Sequence, residues 1–510
     1  MDESLDFLHS TRRQFLRHLG LATGAVVGAS LLDDLEAIAK PTRRLSFVIV
    51  GAGIAGLCAA YELEQRGHSV VLLEAESSHI GGRVRTLRFG DGLYGEAGAM
   101  RIPLRHTLTR HYIKRFGLPL RKFVQSNPEA YYYVRGHRER IKNVRRINRF
   151  YALRAGERAK TPDDLWADVV LRRLKNLTAR ERADLSSTTL ETKAIRALDQ
   201  LSLQQLCEAD GLSPEAIEML AVTYGVETLM SSAATEHMRE EREQVWTQQF
   251  DEIVGGTDRL PAAFAARLKA EPALGCEVVR LEQDPIRKKA AAIYIERGKV
   301  RREECDFLLC TLPFSVLSRL QIEPAFSGAK RRAIRELNYD SSTKTLAITN
   351  NRFWEADDKI FGGGTYTDLP TGVTYYPSDN AAARDPRVSA APAVMLASYT
   401  WGQAARRLAA LQTPAERSTV VIQHLSRVHP QIGSEAALRR TATWSWDNHR
   451  WSSGAFAWFM PGQHSALHRH IIAPEGRIHF AGEHTSLTHT WIQGALESAL
   501  RAVREMLATD

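Results

Sequence analysis

Gly51, Gly53 and Gly56 stand at the spacing of a phosphate-binding loop, and Glu74 follows one helix and one strand later. In such a loop the first glycine permits a tight turn. The second lets backbone approach a pyrophosphate, and the third lets helix and strand pack closely. An acid at the position of Glu74 can accept hydrogen bonds from a ribose diol. A second stretch, GLYGEAGAMRIP (92–103), sets a permanent positive charge, Arg101, among small residues. A planar guanidinium grips a carboxylate with two parallel hydrogen bonds, and its small neighbours suit close backbone approach. A third candidate is Lys344 in NYDSSTKTLAI, which stands before an apolar strand. A lysine buried there without a partner would be costly, so its position suggests use.

The elements around these residues are legible from hydrophobic patterning. Leu45–Val50 reads as a buried strand, Ile54–Arg66 as a helix ended by Gly67, and Ser69–Leu73 as a second strand closing on Glu74. This βαβ unit implies a parallel sheet, and its helix N-terminus carries about half a positive charge toward any bound phosphate. Residues from about 141 to 245 read as helices with polar faces, and Thr161 and Ser213 beside prolines read as N-caps. Strand patterns return in AAAIYIERGKV and CDFLLCTLP, and a mixed region rich in Trp and Tyr spans 321–470. A strand and a helix close the chain. The expected fold class is α/β with α+β character. A Rossmann-like cofactor domain comprises 44–90, 249–320 and 472–510. A mixed-sheet substrate domain comprises 91–140 and 321–471, and a helical domain spans 141–248; all are discontinuous except the last.

The motifs GGRVRT, GEAGAMRIP, FDEIVGGTDRLPAAF, YDSSTK, FWE, TDLP, YYP, GRIHFAGEHTS and WIQGALESALRA together resemble the flavin amine oxidase superfamily, and within it the FAD-dependent L-amino acid oxidases. The resemblance implies FAD rather than NAD. It implies contact with that cofactor by Gly51, Gly53, Ile54, Ala55, Gly56 and Glu74, by Gly82 and Arg83 as a second pyrophosphate clamp, and by Met100 and Arg101. Val278 in CEVVRL would meet the adenine, Glu483 the ribityl chain, and Trp491 and Ile492 the isoalloxazine. Arg101 and Tyr399 would bind the substrate carboxylate. Lys344 would hold a water beside the flavin N5. Thr490, Trp491 and Phe456 would line the substrate pocket, with Tyr375 and Tyr376 as further candidates. The family has glycine where this chain has Thr490. The implied reaction is oxidation of an L-amino acid to an imino acid, with oxygen as acceptor, followed by hydrolysis to a 2-oxo acid and ammonia with release of hydrogen peroxide. A decarboxylating amino acid 2-monooxygenase, an amine oxidase or dehydrogenase, and a non-catalytic FAD-binding scaffold remain open alternatives. The aromatic content of 321–470 points toward an apolar or aromatic side chain on the substrate.

Composition is that of a globular protein: 510 residues, 44 % hydrophobic, 25 % charged, net charge +9. The densest basic stretch, 135–160, is interrupted by acids and aromatics, so it reads as a solvated face and no nucleic-acid partner is expected. The five cysteines have no disulfide or metal spacing, and HSALHRH lacks a metal-ligand pattern, so no metal is expected. Near the N-terminus, TRRQFLR precedes a short apolar run and AIAK. The apolar run is too short to span a bilayer, and no stable membrane anchoring is expected. The arrangement resembles a twin-arginine export signal over 1–39, cut after Ala39. It implies the Tat translocon as a transient partner and a periplasmic or secreted product. The resemblance also implies a homodimer.

Overall fold

The computed structural model describes Leu31, residues 43–247 and residues 249–508. The expected export signal, 1–39, lies outside the described residues but for Leu31.

Strand Ser46–Val50, helix Ile54–Gln65 and strand Ser69–Leu73 form the expected βαβ unit. The strands belong to a four-stranded parallel sheet ordered 69–73, 46–50, 307–310, 478–480. The two strands on the far side arrive from distant parts of the chain. All are short and mostly apolar, as expected for strands covered on both faces. One face is covered by Ile54–Gln65 and the C-terminal helix Ile492–Ala508, which share a core with Leu57, Leu63, Leu496, Leu500 and Val503. A second sheet, ordered 299–305, 289–296, 276–284, 321–323, places Val278 in one core with Val48, Val50 and Leu73 of the first.

A seven-stranded mixed sheet is ordered 438–445, 342–349, 393–401, 373–376, 363–367, 131–134, 137–140. Its central pairs are antiparallel, and Lys344 stands directly opposite Tyr399. Directly opposed residues share one face of the sheet, so register alone brings two expected site residues together. Strand Ser342–Thr349 contains Lys344 rather than following it. A small sheet pairs Ile102–Pro103, the residues after Arg101, with Phe250–Ile253.

The helical region packs around its own core, including Leu165, Val169, Leu206, Met219 and Met238. Thr161 caps its helix by accepting from the Asp164 amide, and Ser213 by accepting from the Ala216 amide. Each oxygen satisfies a backbone donor that the helix leaves unpaired. All five cysteines are buried and unbridged.

Candidate active site

The glycine loop behaves as its spacing predicts. A Cβ on Gly56 would sit 2.0 Å from the Gly51 carbonyl oxygen, so helix and loop approach as closely as backbone allows. A Cβ on Gly53 would meet nothing within 4 Å. Gly53 is also the N-cap, and no side chain caps the helix. The first helical amides therefore face open space at the positive end of the dipole. Glu74 is fixed by two backbone donors, Ala52 N–H to Oε2 and Glu76 N–H to Oε1, both 2.8 Å. Burial raises its carboxyl, and those amides oppose the rise. GGRVRT is bound to the same loop: the Gly81 amide donates to the Ala52 carbonyl at 2.8 Å.

One cavity of about 410 Å³ runs from this loop past Gly82, Arg83 and Val278 to Glu483, Ile492, Lys344 and Arg101. An uncapped helix start, an open glycine, an anchored acid and a basic side chain along one channel fit the diphosphate and ribose of a flavin dinucleotide. Arg83 donates to Glu483 Oε1 at 2.7 Å and to the Ala455 carbonyl at 3.1 Å. Glu483 also accepts from the Ala457 and Thr490 amides, each at 3.0 Å. The two residues that sequence assigns to separate parts of the cofactor thus form one ion pair.

Arg101 is 9 % exposed. Its Nη1 donates to Gln125 Oε1 at 2.9 Å and to the Tyr375 hydroxyl at 3.0 Å. The Gln125 amide donates to the same hydroxyl at 2.8 Å. The guanidinium lies over the Trp246 ring at 4.8 Å and near those of Tyr375 and Phe250 at 5.4 and 5.8 Å. Aromatic faces favour a cation electrostatically, and the polar contacts fix its plane.

Lys344 is 2 % exposed. Its Nζ donates to the Gly98 carbonyl at 2.6 Å and the Glu96 carbonyl at 3.3 Å, and lies 3.7 Å from Met100 Sδ. It sits 4.4 Å from the centre of the Tyr399 ring. Burial lowers its affinity for a proton, Glu96 opposes that, and Arg101 adds repulsion, bringing it down to about 7. Burial pushes the Tyr399 phenol up, with Arg101 and Trp401 pulling the other way. Tyr399 is therefore a neutral donor near pH 7.

Thr490, Trp491 and Phe456 all line the cavity. Thr490 has φ +71°, a left-handed conformation that β-branched residues rarely adopt. The closing helix starts at Ile492 rather than at Thr490. Tyr375 lines the cavity and Tyr376 does not. Strand alternation turns Tyr376 to the opposite face, where its hydroxyl meets His429 Nε2 at 2.5 Å.

Sequence reasoning missed the contribution of the helical region. Helix Ala234–Arg242 sends Glu240 to the cavity, where Oε2 accepts from Trp246 Nε1 at 2.7 Å and Oε1 from Trp491 Nε1 at 3.1 Å. Glu236 and Glu240 are one turn apart, the spacing of a shared helix face. In the highly charged TEHMREEREQVW that spacing is indistinguishable from a solvated pattern. Gln125, Trp246 and Glu96 reach the site only through tertiary packing. His464 and His468 are buried, and among the described residues no three potential metal ligands converge. No helix among the described residues is long and apolar enough to cross a membrane.

Residues 54–507 match the model of the flavin containing amine oxidoreductase family. The YobN protein of Bacillus subtilis (strain 168) is 36 % identical over 465 residues, covering 90 % of this chain and 94 % of that one. An L-amino-acid oxidase of Siganus canaliculatus is 33 % identical, covering 89 % and 84 %. Another of Bothrops pauloensis is 30 % identical, covering 93 % and 91 %. Among solved structures, wild-type putrescine oxidase bound to putrescine superposes with TM-score 0.72 at 18 % identity over 92 % of this chain and 100 % of that one. Cyclohexylamine oxidase from Brevibacterium oxydans IH-35A gives 0.70 at 20 % identity over 92 % and 99 %. These similarities extend over nearly the whole chain and agree with the glycine loop, the anchored acid and the channel they open into: the protein belongs to the flavin-containing amine oxidoreductases.

Proposed function

We propose that the protein is an FAD-dependent L-amino acid oxidase that converts its substrate, with oxygen, to a 2-oxo acid, ammonia and hydrogen peroxide. The observation that carries this reading is Arg101, a buried guanidinium on an aromatic cradle in the cavity that also holds the glycine loop. An amine without a carboxylate has no use for that charge. L-amino-acid oxidases of 30–33 % identity along most of the chain support the same reaction.

When bound, FAD supplies a two-electron acceptor for the substrate Cα–H bond. The chain's residues then do the positioning. Arg101 binds the carboxylate with charge-assisted hydrogen bonds, and the Tyr399 hydroxyl donates another. Gln125 and Tyr375 hold Arg101 Nη1 so that the guanidinium plane does not rotate. Fixing the carboxylate aims the neighbouring Cα–H, and such orientation contributes several kcal/mol to lowering the barrier. The substrate amine reacts in its neutral form, so activity falls at acid pH. Lys344, held by two carbonyls, places a water for imine hydrolysis or assists reaction with oxygen. Thr490, Trp491 and Phe456 close the pocket around the substrate.

The proposal keeps the three units set out from the sequence, two of them discontinuous. It also includes twin-arginine export with loss of 1–39, and a homodimer. The paired arginines at 12 and 13 support the former, and the family resemblance the latter. N-terminal sequencing of the exported protein and its mass in solution test these two points.

The reaction is tested by measuring peroxide, ammonia and carbon dioxide with the twenty amino acids in both enantiomers. Peroxide and ammonia in equal amounts from L-enantiomers support the reading. Carbon dioxide with an amide and without free ammonia or peroxide would indicate the 2-monooxygenase, and turnover only with a quinone acceptor the dehydrogenase. Preference for non-acidic amines would indicate an amine oxidase. Failure of every amino acid and amine to bleach the flavin anaerobically would leave a non-catalytic scaffold.

A further inference from the structure

The cavity lining carries both signs of charge within a short distance. Arg101 and Lys344 supply one sign, and beside them the helical region contributes Asp163, Glu240 and Glu241. Glu240 is bracketed by two indole N–H groups, from Trp246 and Trp491. Asp163 Oδ1 accepts from the Tyr224 hydroxyl at 2.6 Å, and Glu241 Oε1 from Trp166 Nε1 at 3.0 Å. Tyr224 and Trp166 are themselves stacked, with ring centroids 4.8 Å apart. Burial pushes the Glu240 carboxyl up, and the Trp246 and Trp491 N–H groups and Arg101 oppose the rise. His237, on the same wall, has its imidazole brought down to about 4 by burial, with Glu236 opposing, so it adds no positive charge near neutral pH.

Trp246 joins the two charges. The Arg101 guanidinium lies over its face at 4.8 Å, while its N–H edge donates to Glu240. An anion anchor and a carboxylate are thus separated by a single indole. A carboxylate among aromatic rings with neutral donors carries a desolvation cost that a cation would offset. A pocket meant only for apolar side chains would not need to retain it.

We propose that this site takes L-amino acids whose side chains end in a cation, with the α-carboxylate on Arg101 and the side-chain cation at Glu240, flanked by Asp163; this rests on the oxidase reading above. The aromatic rings of Trp246, Trp491 and Tyr224 then cover the aliphatic stem and present their faces to the charge. It departs from the apolar or aromatic substrate suggested by the aromatic content of 321–470.

The test uses the flavin-loaded enzyme and three probes: L-lysine, L-norleucine, which has the same carbon skeleton without the ammonium, and Nε-acetyl-L-lysine, which has the length without the charge. Anaerobic flavin reduction gives kcat/KM for each. A hydrogen-bonded charge pair corresponds to about a 10- to 150-fold preference, so L-lysine is expected to exceed both neutral probes by at least about tenfold. Glu240→Gln should lower that ratio by about tenfold or more, chiefly through KM for L-lysine, and Asp163→Asn should lower it less. The proposal is overturned if L-norleucine matches L-lysine in the wild-type enzyme. It is equally overturned if the ratio survives both substitutions. The wild-type comparison decides even where a variant fails to fold. If no L-amino acid reduces the flavin, the oxidase reading itself fails. If neutral L-amino acids are oxidised and L-lysine is not preferred, only the specificity fails.

Discussion

Replacing Arg101 probes the main physical claim directly. Its Nη1 is committed to Gln125 and Tyr375, and its plane is packed on Trp246. In Arg101→Lys the charge persists, but the fork becomes a point donor, and one of two charge-assisted bonds is lost. Such a bond is worth about 1.5–3 kcal/mol, roughly a 10- to 150-fold loss in kcat/KM. Arg101→Met loses both, an upper range of about 3–6 kcal/mol or roughly 10²- to 10⁴-fold. Stability should suffer little, because the Gln125 amide and the Tyr375 hydroxyl keep their mutual bond at 2.8 Å. Stopped-flow reduction of the flavin without oxygen isolates the affected step. Each L-amino acid should be paired with the amine formed by removing its carboxylate. The wild type should favour the amino acid strongly, and Arg101→Met should shrink the preference by about the same factor, since the amine never used the guanidinium. Tyr375→Phe, which removes one of the contacts that orient Nη1 but leaves the guanidinium free to bind the carboxylate, should cost about fivefold, on the order of 1 kcal/mol. Retention by Arg101→Met of amino acid kcat/KM to within about threefold would refute the anchoring argument; normal flavin content would exclude a folding artefact.

Three further outcomes follow from geometry already described. Thr490→Gly relieves a left-handed threonine at φ +71°. Strain of about 1–3 kcal/mol is removed against about 0.5–1 for glycine's greater freedom when unfolded, so the unfolding midpoint of the loaded enzyme should rise, and KM for bulkier substrates should fall. Gly56→Ala drives a methyl to 2.0 Å from the Gly51 carbonyl; it should abolish flavin retention, read as the ratio of visible to ultraviolet absorbance after purification. Burial brings Lys344 down to about 7 from an ordinary 10.5. Between those values the unfolded chain binds a proton that the native one does not, so this residue makes stability rise with pH across that window and is most destabilising below it. Urea midpoints at pH 7 and 9.5 should therefore diverge more in the wild type than in Lys344→Met, by an amount on the order of a few kcal/mol; equal slopes would show that Lys344 stays charged.

What could be read before any coordinates were the parts governed by local rules. The glycine loop, Glu74 and the two capped helices each depend on contacts within a few residues. Tyr375 and Tyr376 show a rule left unused, since alternation along one strand separates them. Lys344 opposite Tyr399 depends on strand register, which a single sequence states only weakly when both faces of a strand are buried. Glu240, Gln125 and Trp246 are harder still. Each looks like a surface residue in its own segment and becomes part of the site only when separate regions of the chain close over the cavity. The Arg83–Glu483 pair joins segments four hundred positions apart, and nothing local to either signals the other.

The parallel sheet beneath the glycine loop has a consequence for biosynthesis. Its third strand is made some 260 residues after the first, and its fourth, with the helix that covers them, near the end of the chain. At about 5–20 residues per second a ribosome needs tens of seconds to deliver the last strand. Until then the nascent sheet has an open hydrophobic edge, and no amino-terminal fragment can complete the nucleotide cradle. Loss of the final helix to a premature stop codon should yield aggregation rather than a weaker enzyme.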